Sequence, residues 1–378
     1  MNWVAIRMLT GDRVKFLGLV FGIAFSTLLI TQQLTIFVNL LLRGASAVYD
    51  VPAANIWVMD PVGRTPDVTL PMPSTALERV RSVPGVAYAI PMLRSAATIR
   101  TAEGNIEGVT IVGLDDSTLI GLPRRMIEGT RQGLSGPDAV FIDGVGATKL
   151  FKRNTGLSGT LFELNDRRAV IKGVVDSTPT FTSGVTLFTR YSNALSYVPG
   201  TRNRLSFVLV QTEAGRDPLE IASAINEQTG LRARTSEQFA RDGVDFIIEN
   251  TGIPINFGIT VVLGTIVGVA IVGLTFSLFI RDNIKQFGAL KAIGVTNGVI
   301  RMMVASQSAL VALIGYGIGV FLAVGFVSAS TGADAFKGFY TPWQIPLITA
   351  VVVVVMLLLT GLIALRSVLQ MEPAEVFR

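Results

Sequence analysis

The sequence predicts an α-helical membrane protein with four transmembrane helices and an α+β extracytoplasmic domain inserted between helices 1 and 2. Three observations predict it. Half of the 378 residues are hydrophobic and only 16% are charged, against roughly 25% charged in an ordinary soluble domain. The long uncharged apolar runs sit at the two ends of the chain. The stretch between them reads as a water-soluble domain, with strand and helix patterns alternating between turn residues.

A helix needs about 20 predominantly apolar residues to cross a hydrocarbon layer roughly 30 Å thick. Residues 16–42, 253–280, 302–327 and 345–365 meet that length without a single Asp, Glu, Lys or Arg. One central charge would cost about 2.5–3.5 kcal/mol on insertion scales. The first run is longer than the 7–15 apolar residues of a secretory leader and lacks a clear small-x-small cleavage site at a suitable distance, so it is expected to be a retained helix.

Basic residues flank these runs unevenly. Arg7, Arg13 and Lys15 precede the first, Arg281, Lys285, Lys291 and Arg301 lie between the second and third, and Arg366 and Arg378 follow the fourth. The loop between the third and fourth has Lys337 beside Asp334. The positive-inside rule therefore places both termini and the second-to-third loop in the cytoplasm. The expected organisation is a cytoplasmic segment 1–15, helix 16–42, periplasmic domain 43–252, helix 253–280, cytoplasmic loop 281–301, helix 302–327, a short outer loop 328–344, helix 345–365 and a cytoplasmic tail 366–378, in the inner membrane.

The net charge of +5 belongs to this topology. The cytoplasmic segments hold nine basic and four acidic residues, whereas residues 44–250 hold 21 basic and 22 acidic ones. No basic stripe is present to grip a nucleic acid. With no Cys and no His, serine–histidine and cysteine–histidine hydrolase chemistry, disulfides and the usual zinc ligands are excluded. Asp115–Asp116 and the pair Asp138 and Asp143 read as solvated turn carboxylates, and the Gly133–Gly136 stretch lacks a Walker lysine. No catalytic residue and no metal site is expected.

Within the inserted domain, β-branched enrichment and turn borders predict strands over 55–59, 87–100, 108–112, 140–142, 160–164, 169–175, 185–188, 205–211 and 231–235. Helices are predicted over 74–82, with Ser74 as cap, 144–151, 218–229 and 236–250, the last running on into the second span.

Two features of the helical segments carry candidate sites. In the loop 281–294, Ile284, Phe287, Leu290 and Ile293 recur every three residues, predicting a short helix with a narrow apolar stripe, closed by Gly294. Such a helix either docks on a partner or rests on lipid headgroups. Gly18 with Gly22, Gly264 with Gly268 and Gly315 with Gly319 are small-x-x-x-small pairs that permit close helix contact, within the chain or across a dimer. Thr31, Gln32, Gln33, Thr35 and Asn39 give the outer half of the first span a polarity that must face protein or water. They form either a seam at a dimer axis or ordinary helix-to-helix hydrogen bonds.

The run Gln286-Phe287-Gly288-Ala289-Leu290-Lys291-Ala292-Ile293-Gly294-Val295, followed by a glycine-rich span, resembles the FtsX-like permease family, which includes MacB-type and DevC-type transporters. The ending Met371-Glu372-Pro373-Ala374-Glu375-Val376-Phe377-Arg378 is similar to that family's closing Pro-Ala-Glu-Ala-Leu-Arg. Asn55-Ile56-Trp57-Val58-Met59-Asp60 looks closest to the DevC branch. Gln286 replaces the usual acidic residue and Ala289 the usual threonine. The resemblance implies a MacB-like periplasmic domain and a coupling helix, Ile284 to Gly294, that docks on an ABC ATPase subunit, with Phe287 as apolar knob and Lys291 as rim contact. It implies a homodimer, ATP and Mg bound by the partner subunit since no Walker sequence occurs here, and export or efflux driven by mechanotransmission, with an adaptor and an outer-membrane channel as further partners. Control of a cell-wall hydrolase and lipoprotein release or peptide sensing are the alternatives within the family. Haem stays open as cargo, and no residue identifies the substrate.

Overall fold

The computed structural model describes residues 2–68, 70–178, 184–198, 204–333 and 336–369. Asp334 and the closing run 371–378 lie outside the described residues. The chain opens with α1 (Asn2–Gly11) and α2 (Arg13–Tyr49). There follow β1 (Ile56–Met59), β2 (Met72–Pro73), α3 (Thr75–Arg81), β3 (Val86–Arg100), β4 (Ile106–Leu114), β5 (Met126–Glu128), a 3-10 turn at Arg131–Ser135 and β6 (Ala139–Asp143). Then come α4 (Gly144–Phe151), β7 (Leu161–Leu164), β8 (Arg167–Val175), β9 (Thr186–Arg190), α5 (Tyr191–Tyr197), β10 (Arg204–Leu205), β11 (Phe207–Thr212), α6 (Pro218–Thr229), β12 (Arg232–Thr235) and α7 (Ser236–Asn250). The chain continues with α8 (Ile253–Asp282), α9 (Ile284–Ala292), α10 (Asn297–Ser330) and α11 (Gln344–Leu369). These elements form two compact units, an α/β unit of residues 40–251 with 332–338 and a helical unit built from the remainder.

In the α/β unit one sheet runs in the order β12-β1-β11-β3-β4-β9-β6-β8-β5, with β7 pairing β3 and β8. Its first four strands, with α3 and α6, make two β-α-β halves, β1-α3-β3 and β11-α6-β12, in a ferredoxin-like order with antiparallel neighbours. The long β3 joins two lobes. Residues 86–92 pair with β11 and residues 93–100 with β4, so everything from β4 to β9 is an insertion between the halves.

All four residues of β1 are buried because the strand is covered on both faces. Ile56 and Val58 enter the core with Val80 of α3 and Ile225 of α6. Trp57 and Met59 point the other way, to Phe207, Phe239 of α7, and Ala45 and Val48 at the end of α2. The Trp57, Phe207 and Phe239 rings lie 5.2–5.7 Å apart. Beside them α2 and α7 cross backbone to backbone: a Cβ on Gly44 would lie 3.1 Å from the Gly243 carbonyl oxygen, and one on Gly243 would strike that of Gly44.

Two expectations are corrected here. The 236–250 helix does not run on into the next span: Thr251 is extended at φ −120°, ψ 153°, and Pro254, which lacks an N–H and restricts the residue before it, occupies the first turn of α8. Asp143 is not a solvated turn residue. It is 2% exposed and caps α4, accepting from the backbone N–H of Gly146 at 2.9 Å and of Thr186 at 2.6 Å. Burial pushes its carboxyl up to about 6 from the ordinary 3.8, against those backbone donors.

With the folded value raised, the folded unit keeps a proton that the unfolded chain has released, so stability is lost as pH rises from about 4 to about 6. Wild type is expected to lose up to about 3 kcal/mol more across that interval than Asp143→Asn. Thermal midpoints at pH 4 and pH 7 read the difference.

In the helical unit, α2, α8, α10 and residues 344–361 of α11 are long and apolar enough to cross a membrane. Gly22 meets Ile271 and Gly18 meets Thr275, so α2 and α8 are antiparallel; Gly315 meets Ile23 and Gly319 meets Thr27, so α2 and α10 run parallel. Gly268 meets Met356 and Gly273 meets Thr360, so α8 and α11 run parallel. The result is an up-and-down bundle with α2 contacting each other spanning helix.

Candidate functional site

The loop helix predicted after the second span is α9, and both of its ends are fixed. At its start the Asn283 carbonyl accepts from the N–H groups of Gln286 and Phe287 at 3.0 and 3.1 Å, while the Asn283 amide donates to the Phe279 carbonyl of α8 at 2.8 Å. At its end Gly294 turns at φ +96°. Its N–H donates to the Lys291 carbonyl, and that of Val295 to the Leu290 carbonyl, each at 3.0 Å. This is a Schellman stop, and the positive φ is what requires glycine there.

The orientation of α9 differs from the stripe read in the sequence. Phe287 is fully buried, packed with Leu9 of α1, Leu19 of α2, Phe276 and Phe279 of α8, and Ile300 of α10. It is a core residue of the chain and not an outward knob. Ile293 is 82% exposed, and Gln286, Ala289, Ala292 and Gly294 are exposed with it. Ile284, Leu290 and Lys291 are half-buried and Gly288 is buried. The reason is geometric: at 3.6 residues per turn a three-residue repeat drifts by about 60° per step, so three steps carry Ile293 to the side opposite Ile284. The outward row is Gln286, Ala289 and Ile293, spaced i, i+3, i+7.

Two other elements brace this region. Lys15 at the start of α2 forms ion pairs with Asp12, at 2.6 Å, and with Asp282 at the end of α8. The buried Gln307 of α10 donates to the Ala5 carbonyl of α1 at 2.8 Å. Helix α1 was missed in the sequence, where residues 1–15 read only as a basic segment. The available signal was Ala5 and Leu9 at i, i+4, both fully buried, opposite Trp3 and Arg7, which stack at 4.8 Å.

Two family models cover the chain. The MacB-like periplasmic core domain model matches residues 16–228, more than half of it, and the FtsX-like permease C-terminal model matches residues 258–373. The chain belongs to the MacB/FtsX-like permease family. Members of this family are components of ABC-type transporters and normally work with an ATPase partner. No curated protein matches the chain. Among solved structures, the extracellular domain of the noncanonic ABC-type transporter YknZ from Gram-positive bacteria is 20% identical, with 48% of this chain and 98% of that chain covered at a TM-score of 0.36. The periplasmic region of MacB from Actinobacillus actinomycetemcomitans is 14% identical, covering 54% of this chain and 96% of that one at a TM-score of 0.38.

The permease's helix-packing candidates separate cleanly. Each of the six paired glycines faces another helix of the same chain. Gly18, Gly22, Gly264 and Gly268 lie between α2 and α8, and Gly315 and Gly319 lie against α2. At each of them an added Cβ would meet a neighbouring helix of the same protomer. The polar residues of α2 divide in the same way. Thr31, Thr35 and Asn39 share one buried face. Thr31 meets the hydroxyl of Thr349 at 3.2 Å. The Asn39 amide pairs with the Tyr340 peptide, donating to its carbonyl at 2.8 Å and accepting its N–H at 3.3 Å. Gln32 and Gln33 stand off this face, half-exposed.

Proposed function

We propose that this permease is the non-catalytic transmitter of an ABC-type exporter, in which a separate ATPase, holding the ATP and Mg, moves α9 and the permease passes that motion to its periplasmic domain. The observation that carries the reading is α9 itself. The helix is bolted to α1, α2, α8 and α10 through Phe287, yet it presents the row Gln286, Ala289 and Ile293 outward. An element rigidly joined to the bundle, with Ala289 and the exposed Ile293 as apolar contacts on its free face beside Gln286, is what a force-receiving contact requires. The continuity of α2 over 37 residues, Arg13 to Tyr49, supports the second half. Its far end supplies Ala45 and Val48 to the aromatic core of the α/β unit, so a tilt of α2 reaches that core without crossing a loop.

In this reading both termini and α9 are cytoplasmic, the α/β unit is periplasmic, and the permease resides in the inner membrane as a homodimer, with Gln32 and Gln33 as polar residues for the two-fold contact. Export through an adaptor and an outer-membrane channel is the transport route. Placement near the DevC branch rests on the sequence resemblance of Asn55–Asp60 alone.

The test is co-purification with its ABC ATPase partner, reconstituted in lipid nanodiscs. Ile293→Asp is expected to lose the ATPase, at least tenfold in retained complex, while the permease stays monodisperse. Retention of the complex by Ile293→Asp and by Gln286→Arg alike would show that α9 is not the docking element.

A further inference from the structure

Between α10 and α11 the helical unit carries a groove of about 530 Å³ that the coupling role does not use. Its α10 side is floored by Ala305, Ala309 and Ala312, and the facing helix contributes Ala350 and Gly361. Small side chains on both helices leave the space open. Tyr316 closes one end, its hydroxyl held by the Pro346 carbonyl at 2.9 Å. Arg301 stands at the other end, exposed, and is the sole charged residue among those lining the groove.

Length and charge point to the occupant. From Arg301 to Tyr316 is 15 residues of helix, about 22 Å, which covers the roughly 15 Å depth of one leaflet. The groove is lined mainly by apolar side chains along that length and carries one guanidinium at its mouth, the pattern of an acyl chain joined to an anionic headgroup. The guanidinium at its mouth presents a rigid fork of donors suited to a phosphodiester.

We propose that this groove is a binding site for one anionic phospholipid of the leaflet on the α9 side, its acyl chain lying along α10 and its phosphate held by Arg301. The inference is independent of the coupling reading. Native mass spectrometry of the full chain, released from nanodiscs of equimolar phosphatidylglycerol and phosphatidylcholine, tests it. Wild type is expected to retain one phospholipid per chain, with phosphatidylglycerol favoured about fivefold, the factor one basic residue contributes at an anionic surface. Arg301→Gln should retain lipid with that preference reduced to parity. Ala309→Phe, which fills the groove from an exposed position, should retain none. Wild type without retained lipid, an undiminished preference in Arg301→Gln, or retention unchanged in Ala309→Phe would each overturn the site, as would dimer loss in Ala309→Phe with lipid still bound.

Discussion

Phe287→Asp is expected to prevent the permease from accumulating as a folded protein, whereas Ile293→Asp, six residues away on the same short helix, should leave the fold within about 0.5 kcal/mol of wild type. Truncating a fully buried Phe costs about 3–5 kcal/mol through lost burial and the cavity left behind. Phe287 is fully buried among residues of four helices, and a carboxylate in that cluster would add the cost of an unpaired buried charge, several kcal/mol more. The sum is comparable to the entire stability of many domains, about 5–15 kcal/mol. Size-exclusion profiles of the detergent-extracted variants read the difference directly. Phe287→Leu serves as the control, since a smaller apolar side chain should cost about 1 kcal/mol and keep a single peak. A monodisperse Phe287→Asp protein would mean that α9 swings free of the bundle, and the rigid-contact argument would fail with it. The practical consequence is that Phe287 is unsuited to probing the ATPase contact, because its loss removes the partner surface and the fold together.

What was readable in the sequence, and what was not, follows the range of the interactions involved. The four long apolar helices announce themselves because length and hydropathy are local properties, and α4 and α6 coincide with their predicted spans, 144–151 and 218–229. Helix α4 has a capping Asp143, and α6 has Asp217 followed by Pro218. The ferredoxin-like order of the sheet was not readable. β3 pairs with β11 across more than a hundred residues, and nothing in either strand encodes that choice. The strand β5 escaped notice because three residues are too few for a period to show, and the seven-residue α5 because Arg190 before it gives no capping signal such as Ser74 offers α3. At the coupling helix the residues were found and the face was not: the regular spacing of Ile284, Phe287, Leu290 and Ile293 suggested one stripe, but a three-residue repeat winds around an α-helix. The six glycines were found too, yet the helix each one meets is tertiary information.

That tertiary information makes the same motif respond in opposite ways. In α10 a Cβ on Gly315 would lie 3.0 Å from the Val20 carbonyl oxygen, and one on Gly319 would lie 2.6 Å from that of Ala24. Both obstacles are main-chain atoms of α2, which no rotamer change can move. In α8 a Cβ on Gly264 would sit 3.7 Å from Leu29, and in α2 one on Gly18 would sit 3.5 Å from Thr275, both ordinary contact distances. Gly264→Ala and Gly18→Ala are therefore expected to be neutral or to stabilise by about 0.5–1 kcal/mol, because alanine restricts the unfolded chain and favours the helix. The double variant Gly315→Ala/Gly319→Ala should instead force α10 away from α2 and cost about 3 kcal/mol or more, the upper range of overpacking. Thermal unfolding of the four proteins in one detergent separates these outcomes. Since Gly315 and Gly319 hold the central helix inside the protomer, the loss should persist at dilutions where any dimer has dissociated; recovery of stability on dilution would relocate the pair to an interface between copies.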